Sequence, residues 1–199
     1  MKFISSILLS AMAVAAIACG SGNAKQTEAK AGTPQPAAID APEFSADSAY
    51  AYVAQQVAFG PRVPGSVASR QTADWIVGKL REFGAANIEE QHTQLKAYDG
   101  TPLDACNISA QFNPDAERRV LLLAHWDTRP WADNESDSAK RHLPIDGAND
   151  GASGVGVILE VARHMAERQP NVGVDVLFVD AEDYGRHADE PDQPGDNLS

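Results

Sequence analysis

Apolar residues recur at the three- and four-residue spacing of an amphipathic helix in three stretches of the chain. They predict helices from Ser45 to about Val57, from Val67 to Phe83 and from Gly151 to Arg168. Ser45 and Ser66 stand where a serine hydroxyl can accept hydrogen bonds from the free N–H groups at a helix start. We therefore expect the folded domain to begin at Phe44.

Three other segments have the pattern of β-strands. From Cys106 to Phe112, apolar and polar residues alternate, which predicts a strand with one buried face. Segments 119–124 and 172–179 are nearly continuous runs of apolar β-formers, which is typical of strands buried on both faces. Because the third helix lies between these two runs, we expect a βαβ unit with parallel strands. Residues 87–97 are weakly patterned, and no element is predicted there.

The N-terminus has the features of an export signal. Residues 1–18 combine Lys2 with an apolar run and small residues, and the box Ala16-Ile17-Ala18-Cys19 resembles a bacterial lipoprotein cleavage site. Cys19 is then the lipid-bearing residue, although an ordinary signal peptide that contains a cysteine is an alternative. Residues 19–43 are poor in large apolar side chains and are interpreted as a flexible spacer. We expect an exported lipoprotein of the bacterial cell envelope that faces the periplasm.

The net charge and the number of cysteines limit which molecules the chain can bind and whether it can form a disulfide. The chain of 199 residues has 28 Asp and Glu against 16 Lys and Arg, a formal net charge of −12. Such a chain is a poor binder of nucleic acid, and we expect it to meet the membrane only through its lipid. Of its two cysteines, Cys19 is assigned to lipidation, so Cys106 has no disulfide partner and is interpreted as inert core.

Acidic residues and a histidine follow the predicted strands and precede the third helix. Ligands of open α/β sheets bind beyond the carboxyl ends of the strands, where these residues lie. A divalent cation would relieve the repulsion among such acids, and the mixture of imidazole and carboxylate suits zinc better than calcium. The candidates are His125, Asp127, Asp150, Asp180, Glu182 and Asp183.

Each candidate also has a purely structural interpretation. Asp150 could be only a helix cap, and His125 could be a satisfied structural histidine. The acids that follow the last strand could be a solvated loop. The metal site is favoured because all three alternatives must hold together for it to be absent.

Four segments resemble the bacterial zinc-dependent glutaminyl cyclases, relatives of the zinc aminopeptidases. They are FGPRVPGS (59–66), AHWDTRPWAD (124–133), GANDGASGVG (147–156) and FVDAEDYG (178–185). The resemblance implies an α/β fold with an open, mixed, mostly parallel twisted sheet and helices on both faces. It also implies an enzyme that converts the N-terminal glutamine of peptides or proteins to pyroglutamate with release of ammonia.

The same resemblance assigns roles to the candidates. It makes Asp150 and Asp183 ligands of a single zinc and Glu182 the general acid/base. His125 and Asp127, with Asp180, become supporting residues or a second metal site. Trp126 and Trp131 flank the same loop and are candidate walls of the glutamine pocket.

Two alternatives stay open, and the catalytic domain looks incomplete. A di-zinc aminopeptidase would use His125 as a true ligand, and a non-catalytic envelope lipoprotein would have lost the metal. The third zinc ligand of the family is a histidine that we expect beyond Ser199. Residues 44–199 are therefore interpreted as the N-terminal part of the zinc domain, C-terminally incomplete, monomeric and inactive as an isolated piece.

Overall fold

The computed structural model describes residues 40–190, which contain three helices and four strands. The predicted signal peptide, Cys19, nearly all of the spacer and residues 191–199 lie outside the described residues. Within residues 40–190, no helix is both long and apolar enough to cross a bilayer. The elements are α1 (Ala46–Ala58), α2 (Val67–Glu82), β1 (Ala86–Lys96), β2 (Pro102–Phe112), β3 (Arg119–His125), α3 (Ala152–Glu167) and β4 (Gly173–Val179).

The helix starts follow the sequence closely. The hydroxyl of Ser45 accepts from the N–H of Ser48 at 3.1 Å, and that of Ser66 accepts from Ser69 at 3.0 Å. These bonds satisfy N–H groups that have no partner inside the first helical turn. Both serine caps predicted from the sequence are confirmed.

The strands form one open mixed sheet in the order β1-β2-β4-β3. β3 and β4 run parallel on either side of the α3 crossover, so the predicted βαβ unit is confirmed. β2 pairs antiparallel with both β1 and β4. Within the described residues, parallel pairing is thus confined to one of three strand pairs. β1 and β2 cannot be parallel neighbours because the short turn between them permits only a hairpin.

β1 is the strand that the sequence pattern did not predict. Nearly all of its side chains are exposed, so burial imposes no alternation on its residues. It is held instead by its backbone pairing with β2, and the register shifts between Ala86 and Glu89, where Asn87 has a φ of +49°. A strand that is held only by backbone hydrogen bonds shows no regular alternation of apolar and polar residues in its sequence.

The core lies between one face of the sheet and the helices. α1 packs on α3 at Gly156, where a Cβ would lie 2.8 Å from the carbonyl oxygen of Ala49. A side chain at Gly156 would therefore push the two helices apart. Core residues from these elements include Ile76, Leu80, Ile108, Phe112, Val155, Leu159, Val176 and Phe178.

The opposite face of the sheet has no helix over it within residues 40–190. Leu121 and Leu123 of β3 point to that side and are 57% and 55% exposed. In the described residues β3 is an edge strand, and α1 packs on α3 rather than on the sheet. The expectations of a β3 buried on both faces and of helices on both faces are not met in this part of the chain.

Candidate active site

The six predicted site residues gather at one edge of the sheet. His125 is the last residue of β3, and Asp127 follows it in the loop. Asp150 comes two residues before α3, and the segment 180–183 follows β4 directly. Parallel pairing of β3 and β4 brings these strand ends together with the start of α3.

His125 connects the loops on both sides of it. Its Nε2 lies 2.9 Å from Oδ1 of Asp150, and its Nδ1 lies 3.4 Å from Oδ1 of Asp127 and 3.6 Å from Oε2 of Glu182. The hydrogen bond to Asp127 is the main cause that raises the pKa of His125 to about 9. The charge of Asp127, the bond to Asp150 and the charge of Glu182 act in the same direction, against burial.

The start of α3 leaves Asp150 free for this contact. The N-cap of α3 is Gly151, and no side chain caps the helix. A Cβ at Gly151 would lie 2.7 Å from the carbonyl oxygen of His125, so only glycine allows the helix to abut the end of β3. The interpretation of Asp150 as a simple helix cap is therefore wrong.

Asp127 fixes the loop that carries the two acids. Its side chain is fully buried, and its carboxylate accepts the N–H of Glu182 at 3.2 Å and that of Asp183 at 3.1 Å. The same carboxylate approaches His125, as described above. One buried side chain thus positions three of the candidate residues.

Asp183 has an oxygen without a protein partner. Its Oδ2 is buried and accepts no hydrogen bond. Burial is the first cause that raises the pKa of Asp183 to about 6, followed by the charges of Asp150 and Asp127, with Arg129 and His125 opposing. A cation beside Asp183 would satisfy the free oxygen and relieve the repulsion, so the residues present fit a divalent metal.

No group of three candidate-site side chains, in the residues that the structure describes, brings its potential ligand atoms within 4.8 Å of one another. Within residues 40–190, the side chains that meet this condition are Glu90, His92 and Cys106, on the β1–β2 hairpin. The side chains of Glu182 and Asp150 are 60% and 66% exposed, so they have room to turn toward a cation.

Known proteins resemble this chain in sequence and in fold. Residues 107–188 match the model of peptidase family M28. A Zn-dependent exopeptidase from Parabacteroides distasonis is 50% identical, with a TM-score of 0.75 over 78% of this chain and 53% of that chain. A glutaminyl cyclase from Bacteroides thetaiotaomicron, bound to N-acetylhistamine, is 51% identical, with a TM-score of 0.74 over 76% of this chain and 52% of that chain.

The match to peptidase family M28 covers less than half of the chain. A glutaminyl-peptide cyclotransferase-like protein from Bos taurus is 29% identical over 133 residues, which are 61% of this chain and 32% of that protein. The chain therefore spans about half of the two solved proteins and about a third of the bovine relative. The resemblance to glutaminyl cyclases and the zinc aminopeptidase-like fold are confirmed by these matches.

Asp180 is buried and connects the end of β4 to β2 beside the candidate site. It is 8% exposed, accepts the N–H groups of Cys106 and Ala181 at 2.8 Å each, and donates its own N–H to Asn107. Burial, followed by the charge of Asp127, raises the pKa of Asp180 to about 7. Ala181 has a φ of +63°, a conformation that non-glycine residues rarely adopt and that turns the chain toward Glu182.

Trp126 does not line the candidate site, contrary to expectation. Its side chain is fully buried, and its indole N–H donates to the carbonyl of Cys106 at 3.1 Å. His125 and Asp127 point to the site, and the residue between them in an extended chain points the other way. Trp131 lies in the following loop, with its ring 5.4 Å from Tyr184 and 5.8 Å from His187.

Two arginines near the candidate site were missed by the sequence reasoning. Arg129 makes two bonds to Asp133 and also donates to the carbonyl of Asp183 at 3.3 Å. Arg62 is fully buried and donates to the carbonyls of Trp126, Asp146 and Gly147. Both lie inside the segments that carried the family resemblance, yet their bonds to carbonyl groups leave no signal in side-chain patterns.

Proposed function

We propose that this chain belongs to a glutaminyl-peptide cyclotransferase, which acts on peptides or proteins with an N-terminal glutamine. The observation that carries the proposal is the 51% identity, with a TM-score of 0.74, to the glutaminyl cyclase from Bacteroides thetaiotaomicron. Within the site, Nε2 of His125 is hydrogen-bonded to Asp150 at 2.9 Å, and its Nδ1 faces Asp127. These contacts agree with the supporting role expected for His125 beside a single metal.

Asp150 and Asp183 would hold the zinc. The free buried oxygen of Asp183 and the crowding of carboxylates around it support this assignment. When bound, zinc supplies a Lewis acid that polarises the side-chain amide carbonyl of glutamine. The Zn-dependent exopeptidase from Parabacteroides distasonis described above agrees with this choice of metal.

Glu182 moves the proton in the proposed reaction. The α-amine of the substrate bonds to its own side-chain amide carbon, and the bond from that carbon to the amide nitrogen breaks. Glu182 takes a proton from the attacking amine and delivers it to the departing nitrogen, which leaves as ammonia. Asp127 holds the backbone of Glu182 in place, and His125 lies 3.6 Å from its carboxylate.

The second candidate is an aminopeptidase of the same fold. It is favoured by the 50% identity to the Parabacteroides exopeptidase. In that reaction a water molecule attacks the first peptide bond, with Glu182 as its general base. His125 and Asp127 would then contribute to a second metal site.

One incubation separates the candidates. The full-length gene product, loaded with zinc, is incubated with a peptide that begins with glutamine, and the products are weighed by mass spectrometry. Loss of one ammonia supports the cyclase, whereas loss of a whole residue supports the aminopeptidase. An unchanged peptide would contradict both and favour a non-catalytic lipoprotein. The Glu182→Gln variant is the control for contaminating activity.

We also propose that the protein is anchored in the bacterial envelope through a lipid on Cys19, facing the periplasm. The motif before Cys19 supports this proposal. Growth with a labelled fatty acid should label the protein and not its Cys19→Ser variant. Equal labelling of the two proteins would contradict a lipid at this residue.

A further inference from the structure

A cleft of about 660 Å³ lies between α2 and the β1–β2 hairpin, and of the candidate active-site residues it is lined by Trp126 alone. Glu90 and His92 of β1 and Cys106 of β2 line it. The potential ligand atoms of these three side chains all lie within 4.8 Å of one another. None of the three is a candidate for the cyclase reaction.

The strand register brings the three side chains together. His92 is paired directly opposite Cys106, and Glu90, two residues before His92, points to the same face of the sheet. Nε2 of His92 lies 3.9 Å from Sγ of Cys106 and 3.9 Å from Oε2 of Glu90. Because β1 and β2 are continuous paired strands, their backbones hold this arrangement in place.

These separations are close to those of a tetrahedral zinc site. Bond lengths of about 2.3 Å to sulfur and about 2.0 Å to nitrogen or oxygen place neighbouring ligand atoms roughly 3.3 to 3.6 Å apart. Rotation of side chains can therefore close the site without movement of the strands. The His92 side chain is 72% exposed and that of Glu90 is 33% exposed, so both have room to turn.

We propose that Glu90, His92 and Cys106 bind a divalent metal ion of borderline softness, with zinc preferred. A thiolate, an imidazole and a carboxylate form a ligand set that suits zinc and disfavours calcium and magnesium. Three protein ligands leave a fourth position, which opens into the cleft and can take a water molecule or a further ligand. This site is separate from the zinc proposed for the cyclase reaction.

The surroundings of Cys106 favour a cation. Burial is the main cause that raises the pKa of its thiol to about 11, and the charges of Glu90 and Asp180 act in the same direction. Without a positive charge nearby, the sulfur stays protonated. A bound metal supplies that charge and stabilises the thiolate.

Cobalt(II) distinguishes this site from the catalytic one. A thiolate bound to cobalt(II) gives an intense charge-transfer absorption in the near ultraviolet, and a site made only of carboxylates and imidazoles does not. The 199-residue chain titrated with cobalt(II) should develop this band, and zinc added afterwards should abolish it. The Cys19→Ser variant should retain the band, since the thiol assigned to the site is that of Cys106.

Variants identify the ligands. Cys106→Ser should remove the band, and His92→Ala, a change at an exposed side chain, should weaken cobalt binding at least about 100-fold. Glu90→Gln should weaken it about tenfold. The matched control Gln91→Ala changes the neighbouring side chain on the other face of β1 and should leave the titration unaltered.

Absence of the band in the unaltered chain would overturn the proposal. Persistence of the band in Cys106→Ser, or unchanged affinity in His92→Ala, would do the same. Either result is independent of peptide turnover, because the assay measures only a metal–thiolate bond.

Discussion

Replacement of Asp127 by asparagine tests whether one buried carboxylate positions the catalytic loop. Asp127 is fully buried, and its two oxygens accept different N–H groups, Oδ1 that of Glu182 and Oδ2 that of Asp183. An asparagine of the same shape has only one accepting oxygen. Whichever way its amide is turned, an NH₂ group must face a backbone N–H of the loop.

The hydrogen bonds of Asp127 determine how much stability and activity Asp127→Asn should lose. A buried donor left without a partner costs about 1 to 3 kcal/mol, and the loss of a charge-assisted bond to the second donor adds to this. We expect Asp127→Asn to lower the free energy of unfolding by about 2 to 4 kcal/mol. Because a catalytic group displaced by about 1 Å can cost roughly 100-fold in rate, kcat should fall about 100-fold through Glu182.

Two measurements and one matched variant isolate the positioning effect. Urea unfolding reports the stability, and pyroglutamate formation by the full-length gene product reports kcat and KM at a temperature where every variant is folded. Asp175→Asn is the control, because it breaks the pair between Asp175 and Arg119 on the sheet and touches no candidate site residue. It should lower stability and leave kcat unchanged.

A positioning role for Asp127 is refuted if Asp127→Asn unfolds at the same urea concentration as the unaltered protein. It is refuted equally if Asp175→Asn loses as much kcat as Asp127→Asn, since the loss would then follow from stability alone. Recovery of kcat at lower temperature in Asp127→Asn would also contradict a displaced Glu182.

Three further predictions concern the same site. Glu182→Gln should lower kcat at least about 100-fold with little change in stability, since the side chain is 60% exposed, whereas Glu135→Gln should change neither. Arg62→Met should lower the free energy of unfolding by about 3 to 5 kcal/mol, measured in urea, because three buried carbonyls lose their donor. Hydrogen bonding by Arg129 lowers the pKa of Asp133 from 3.8 to about 2. The pair therefore stabilises the folded state by about 2 kcal/mol above pH 4, and this stabilisation is lost as the pH falls to 2. Asp133→Asn should remove this part of the pH dependence of the free energy of unfolding, measured in urea at several pH values.

Elements with a buried face were predicted well because burial imposes a period on the sequence. The helices that follow the caps at Ser45 and Ser66 and the βαβ unit are elements of this kind. β1 could not be predicted, because it is held by backbone pairing to β2 and nearly all of its side chains are exposed. β3 was expected to be buried on both faces, yet its position at the edge of the described sheet leaves Leu121 and Leu123 exposed.

The candidate site could be located from the sequence because strand order and strand ends are readable features. The side to which each residue points was not fully readable. Trp126 was expected beside the substrate, but it occupies the position between two site residues and therefore turns into the core. Arg62 and Arg129 were missed for another reason, since both donate to backbone carbonyls of residues that are distant in the sequence.

Only the family resemblance distinguished the acids of the site in the sequence, whereas the structure separates them by the partners of their oxygens. Asp127 and Asp180 are buried and accept backbone N–H groups, so their charge is already used to shape the loops. Asp183 keeps a buried oxygen without a partner, Asp150 meets only an imidazole, and Glu182 faces solvent. A cation can gain most from carboxylates whose oxygens are still free, and a proton carrier must stay accessible. The proposed division into scaffold, metal ligands and acid/base is therefore supported by hydrogen bonding, which the number of charges along the chain does not reveal.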